Sequence, residues 1–309
     1  MKNKKGITVK YLITIIILIV SFAIISLFFV SFDFSGEIDK EGCHQSVIYK
    51  ATVPEWKDKD VIDLPLKCET EKICISESGK GNCDLDFKGE KYVTRQVSSD
   101  ATQRETDMRK VFADAFYDCW WMMGQGKVQV FTRGDRRTKA CVMCSRIAFD
   151  KELKDELKLQ QNGVVRGITK YMINNNVPNS EKTYWQYITN SESNFRAGYA
   201  ESKDVIDLTP KVILFTEVKA GGFFDVLLIS GGVGSVAGGV LAGATIGSVV
   251  PVAGTVIGAG IGAMVGFFTT DTIITNLVAD SKAKAAATVS LNEYDFDTLR
   301  KLECTSFEG

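Results

Sequence analysis

The side chains best suited to covalent chemistry in this sequence are its cysteines, and Cys141-Val-Met-Cys144 is the one pair at redox spacing. A thiol–disulfide exchange motif of that kind needs one thiolate stabilised at a helix N-terminus after a strand. The surrounding KVQVFTRGDRRTKACVMCSRIAF reads instead as a hairpin, with strands near Lys127 to Thr132 and Ala140 to Phe149 around a polar turn. Residues of a strand alternate in face, so Cys141 and Cys144 point to opposite sides and each is expected to bridge elsewhere. Cys119, on the preceding helical segment, is one natural partner. Zinc chemistry lacks a second close Cys or His pair, and His44 is the only histidine. It adjoins Cys43, where the two side chains diverge, so a histidine-activated nucleophile is not expected. No phosphate loop, HExxH motif or dinucleotide fingerprint occurs, and GGVGSVAGG only echoes the last. Asp and Glu are too common for any carboxylate pair to stand out. The expectation is therefore no enzyme, no catalytic or metal-ligating residue and no cofactor.

The elements that would carry these thiols follow from patterning. Eight cysteines, Cys43, Cys68, Cys74, Cys83, Cys119, Cys141, Cys144 and Cys304, are an even number that predicts four structural bridges, and proximity suggests pairing within Cys68, Cys74 and Cys83. Residues 33–98 alternate short apolar runs such as SVIYKATV and YVTRQV with polar turns, which predicts a small cysteine-rich β region. Residues 99–220 read as an α+β ectodomain. Its first helix has N-cap candidates Ser98, Ser99 and Asp100, one face formed by Met108, Phe112, Ala115, Phe116, Cys119 and Met123, and Gly124 as a stop. Trp120 and Trp121 read as core or interface packing, and Arg133-Gly134-Asp135 as turn chemistry before any adhesion motif. Residues 151–204 are polar and mostly helical, broken at Pro178, and PKVILFTEV, Pro210 to Val218, reads as a strand. The last segment, 272–309, holds YDFDTLRKLECTSF, a short helix and a bridging cysteine that pack on the ectodomain.

Charge separates this region from the apolar blocks. The balance of 37 basic and 38 acidic residues gives no nucleic-acid signature, so no such partner is expected. Tyr11 to Phe32 is uncharged and long enough for a bilayer, which needs roughly 20 residues. No small-residue cleavage site follows it, so residues 11–32 read as a retained transmembrane anchor behind a basic cytoplasmic tail, 1–10. Lys2, Lys4, Lys5 and Lys10 before the span, with Asp33, Glu37 and Asp39 after it, place the bulk of the chain on the extracytoplasmic side. The start KKGIT followed by an apolar run resembles an archaeal type IV pilin signal, from which Lys10 departs.

A second apolar block, 221–271, carries small residues at every fourth position: Ser235, Gly239, Gly243 and Gly247, then, beyond Pro251, Gly254, Gly258, Gly262 and Gly266. Each interior glycine costs a helix in water about 0.8 to 1.0 kcal/mol against alanine, whereas in lipid glycines let helix backbones approach closely. Over residues 231–268 the repeat resembles glycine-zipper membrane proteins, which implies a helical hairpin that packs through these positions. A buried soluble hairpin is the other reading. The KKGIT start, DCWWMMGQGK, CVMCSRIAF and the late cysteine near LRKLEC together are similar to a group of uncharacterised archaeal single-anchor membrane proteins, a resemblance that implies no activity.

The expected fold class is thus α+β, with an N-terminal transmembrane helix, a disulfide-stapled ectodomain and a Gly-rich helical hairpin. The expected function is non-enzymatic membrane insertion, oligomerisation or pore formation, with the lipid bilayer and a homo-oligomer or membrane protein as partners. Two alternatives are a cell-surface binding or adhesion module with two membrane attachments, and a thiol-disulfide oxidoreductase using CVMC.

Overall fold

The computed structural model describes residues 13–22, 35–52, 65–128, 130–131, 139–160, 162–189, 205–219, 273–275, 285–302, 304 and 306–308. Helix α1 covers residues 13–22, and α2 is Ser35–Thr52. There follow β1 (Glu71–Ser76), α3 (Asp84–Phe87), β2 (Val93–Gln96), the long α4 (Ala101–Met122) and β3 (Lys139–Phe149). A mostly helical stretch holds α5 (Lys151–Gln160), β4 (Val164–Arg166), α6 (Ile168–Asn174), α7 (Tyr184–Thr189) and β5 (Val205–Asp207). The chain then forms β6 (Lys211–Lys219), β7 (Ile273–Thr275), β8 (Ala285–Glu293), α8 (Phe296–Lys301) and β9 (Ser306–Glu308).

These strands make a mixed sheet in the order β2-β1-β3-β6-β8-β7, with β9 also paired to β3. β1 runs parallel to β2 and to β3, while β3, β6, β8 and β7 are successively antiparallel. β3 is long enough to hold two neighbours on one edge, β9 along Ala140 to Val142 and β1 along Ser145 to Phe149. Between those halves the register with β6 slips at Met143 and Ser145, a bulge that leaves Cys144 unopposed.

Helix α4 covers one face of the sheet. Asp100 caps it by accepting from Thr102 N (3.1 Å) and Gln103 N (2.9 Å), and Gly124 follows the helix at a φ of +70°. The expected apolar stripe of Met108, Phe112, Ala115, Phe116, Cys119 and Met123 is buried. It meets the sheet through Phe112 against Phe149 and Trp120 against Phe215, with ring centroids 6.2 and 6.4 Å apart. Burying one such side chain contributes about 1.5–3 kcal/mol. Arg104, 2% exposed, rides the same helix and ties it to Glu77 (2.7 Å) and to Glu156 of α5 (2.9 Å).

All eight cysteines are bridged: Cys43 to Cys68, Cys74 to Cys83, Cys119 to Cys144 and Cys141 to Cys304. They fasten α2 to the approach to β1, β1 to α3, α4 to β3, and β3 to the C-terminal segment.

Several expectations are corrected here. Among the described residues, no helix is long and apolar enough to cross a membrane. Within the block expected as an anchor over 11–32, the described residues are 13–22, which are helical. Residues 11–12 and 23–32 lie outside the described residues, as do the tail 1–10 and the glycine block with Ser235, Gly239, Gly243, Gly247, Gly254, Gly258, Gly262 and Gly266. The transmembrane part of the fold class falls with that finding, while α+β and the bridges stand. So do the likenesses to glycine-zipper and archaeal single-anchor membrane proteins fall, and the membrane location with its cytoplasmic N-terminus and extracytoplasmic bulk. Membrane insertion, pore formation, a two-attachment adhesion module, and partnership with a bilayer, a homo-oligomer or a membrane protein lose the crossing helix on which each rested.

Two local readings also change. SVIYKATV, read as strand-like, lies in α2 through Thr52, where Cys43 and Val47 are its buried contacts. The expected strand over Lys127 to Thr132 does not form at its described positions, because the buried Glu217 carboxylate accepts Val130 N (2.9 Å) and Phe131 N (3.3 Å). Those donors go to a side chain instead of a ladder.

Candidate functional site

The flank of α4 that turns away from the sheet carries Lys110, Asp114, Tyr117, Asp118 and Trp121, at helical spacings of three and four that align them in one stripe. Four other elements close on this stripe. α2 approaches its C-terminal end, β1 begins beside it, and α6 with α7 lines its middle.

At the α2 end, Lys40 Nζ lies 2.5 Å from Asp118 Oδ2 and 3.0 Å from Glu71 Oε2, so one ammonium bridges two carboxylates from elements remote in sequence. Glu71 Oε1 in turn accepts from Arg95 of β2 at 3.4 Å. Burial opposes charge on Lys40, but Asp118 and Glu71 outweigh it and hold the ammonium above its ordinary range. For Asp118 the balance goes the other way. Burial pushes its carboxyl up, Lys40 recovers part of that, and nearby Glu71 and Asp114 add to the rise. The neighbouring carboxylates therefore act in opposite senses on the pair, since they favour the charged ammonium and disfavour the charged carboxylate.

One helical turn further, His44 stacks on Trp121 with centroids 4.4 Å apart and planes 15° from parallel. His44 Nδ1 also lies 2.8 Å from the Trp121 carbonyl oxygen, where it donates when it carries the proton. The single histidine therefore serves the α2–α4 contact. Among the described residues, no group of three His, Cys, Asp or Glu side chains is placed to hold a metal ion.

In the middle of the stripe Tyr184 OH donates to Asp114 Oδ1 at 2.5 Å, and Lys110 Nζ reaches Asp114 Oδ2 at 2.6 Å. Tyr184 is surrounded by Tyr117 (6.3 Å, edge-on) and Tyr171 (6.2 Å). Tyr117 packs on Tyr187 at 4.8 Å, whose hydroxyl accepts from Gln125 Nε2 at 2.7 Å. Burial raises the hydroxyls of Tyr184 and Tyr187 well above the ordinary tyrosine range, with Asp114 reinforcing the first and Tyr117 the second. Tyr171 rises first through burial, which Lys110 opposes and Asp114 and Asp107 reinforce.

The sites singled out from sequence fall elsewhere. Cys141 pairs in register with Thr216, on the face turned away from α4, whereas Cys144 bonds to Cys119 of α4. The two CVMC sulfurs thus face opposite sides and belong to different bridges, which overturns the thiol-disulfide oxidoreductase reading. Arg133-Gly134-Asp135 lies outside the described residues. Trp120 is a fully buried core residue, and Trp121 is the one that faces the stripe.

Lys40, Glu71 and Asp118 had no mark in the sequence. The available signal was the interleaving of Asp114 and Asp118 with Tyr117 and Trp121 along a helix whose other face is apolar. No protein-family model, curated protein or solved structure matches this chain.

Proposed function

We propose that the chain is a non-catalytic recognition module that binds a basic segment of a partner polypeptide on the tyrosine and carboxylate face of α4, α6 and α7. The observation that carries this reading is Asp114, whose carboxylate is oriented by Tyr184, a ring that itself packs against the half-buried Tyr117 and Tyr171. Lys110, itself an exposed side chain, occupies the other carboxylate oxygen, and an incoming guanidinium replaces it without burying a new charge. Arginine suits the place because its planar fork matches a carboxylate and stacks on tyrosine. Tyrosine-lined faces supply contact area at low side-chain entropy cost. The reading as a non-enzyme is supported by the engagement of all eight sulfurs in bridges and of His44 in the Trp121 stack.

Calorimetric titration with matched arginine-rich, lysine-rich and glutamate-rich peptides tests it. The arginine-rich peptide is expected to bind best, and Asp114→Asn to weaken it about tenfold or more, as loss of a charge-assisted contact worth about 1.5–3 kcal/mol implies. Equal binding of all three peptides, or an unchanged affinity in Asp114→Asn, removes the proposal.

A further inference from the structure

The ion cluster at the other end of the stripe has a geometry that a salt bridge does not require. Lys40 comes from the second turn of α2, Asp118 from the last turns of α4 and Glu71 from the first residue of β1, yet one amine nitrogen touches a carboxylate of each. Lys40 and Asp118 are joined at 2.5 Å, and Glu71 presents Oε2 to the same nitrogen while Arg95 takes its Oε1. Three constraints hold the pair in place. The Cys43–Cys68 bridge anchors α2 three residues beyond Lys40, the His44–Trp121 stack lies one turn along both helices, and the Arg95 contact fixes the rotamer of Glu71. Reacting groups held in this manner behave as if at effective concentrations on the order of 10⁵ M or more.

We propose that Lys40 and Asp118 condense into a side-chain amide, with Glu71 as the proton carrier, so that α2 and α4 become covalently joined. The proton shared across the Lys40–Asp118 hydrogen bond first moves to the carboxylate, giving a neutral amine and a neutral acid. The Nζ lone pair attacks Cγ of Asp118, the C–N bond forms, and the carbonyl π pair moves onto oxygen. Glu71 Oε2 removes a proton from the nitrogen and delivers it to the departing hydroxyl; the C–O bond breaks and water leaves. Glu71 ends as it began, nothing is oxidised or reduced, and one ammonium and one carboxylate become an amide and a water molecule.

The surroundings favour that direction. Burial, with Glu71 and Asp114 close by, already pushes Asp118 towards the neutral acid that the attack needs. Tyr184 and Tyr187 add neutral hydroxyls and no cation to that side. Lys40 rests as the ammonium, so the reactive pair is a minor species. A reaction that occurs once per molecule and releases water from a half-buried site tolerates a small reactive fraction, and its product removes two partly desolvated charges.

Mass spectrometry of the full chain, reduced and denatured after prolonged incubation, tests this directly. The wild type is expected one water lighter than its sequence, and proteolysis is expected to give a branched peptide joining the segments around residues 40 and 118. Lys40→Arg keeps the ion pair but lacks the nucleophile, and Asp118→Ala lacks the electrophile; both are expected at full mass with no branched peptide, and Glu71→Gln is expected to lose most of it. A wild type at full mass overturns the proposal. So does a lost water that fragmentation places at any other residue, or a branched peptide that persists in Lys40→Arg.

Discussion

Tyr184 and Tyr187 show at the residue scale how burial converts an ordinary side chain into a pH-dependent stabiliser. Both hydroxyls have folded-state pKa values raised above the unfolded tyrosine value of about 10, first by burial and then by Asp114 or Tyr117. A raised value in an acid means that the protonated form is favoured by folding. Their contribution is therefore complete below pH about 10 and declines as the pH rises towards the folded values. The expected outcome is alkaline unfolding in which the tyrosinate band of these residues grows together with loss of the near-ultraviolet circular dichroism. Tyr184→Phe combined with Tyr187→Phe is expected to move the alkaline midpoint upward, while costing about 1 kcal/mol per lost hydrogen bond at neutral pH. Tyrosinate that forms in full while the fold remains intact would contradict this account.

At the scale of elements, α4 is the piece on which the molecule is assembled, since it buries one face on the sheet and offers the other to α2, α6 and α7. Its start depends on Asp100, whose carboxylate takes two of the orphan N–H groups of the first turn. Asp100→Ala is expected to lower stability by about 0.5–2 kcal/mol in denaturant unfolding, with Asp100→Ser close to wild type. A cost as large for Asp100→Ser as for Asp100→Ala would mean that the loss is not one of capping. This helix was legible in the sequence because its apolar residues repeat with the helical period and its ends carry Asp100 and Gly124. β6 was legible from PKVILFTEV, and the final helix from YDFDTLRKLECTSF. α2 was not. SGEIDKEGCHQSVIYKAT has two glycines, β-branched residues and no continuous apolar stripe, so its helicity comes from contacts made by Cys43, His44 and Val47. The Lys40, Glu71 and Asp118 cluster was illegible for a related reason: the three residue types are common, and 31 and 47 positions separate Glu71 from its neighbours in the chain. Only the docking of α2 and β1 on α4 brings them together.

The four bridges divide the whole molecule into local and long-range ties. Cys74–Cys83 closes a span of 9 residues within one corner of the sheet, whereas Cys141–Cys304 closes a span of 163 and encloses β6, β7, β8 and α8. If a bridge acts by restricting the unfolded chain, the first contributes about 2.6 kcal/mol and the second about 5 kcal/mol. Packing makes the difference larger. The Cys74–Cys83 corner has its own cluster with Phe87 and Ala148, but β9 meets β3 through only three register pairs, Ala140, Cys141 and Val142 with Ser306, Phe307 and Glu308. A strand of that length does not hold its place without a tether. Replacing Cys141 and Cys304 together by serine is therefore expected to lower the denaturant midpoint more than replacing Cys74 and Cys83, and to release β9. Hydrogen exchange would then rise at Ala140 to Val142 while Ser145 to Phe149, paired with β1 on the same edge of β3, stays protected. The reverse order of midpoints, or exchange that rises equally along both halves of β3, would show that the corner and not the long tie governs the stability of the sheet.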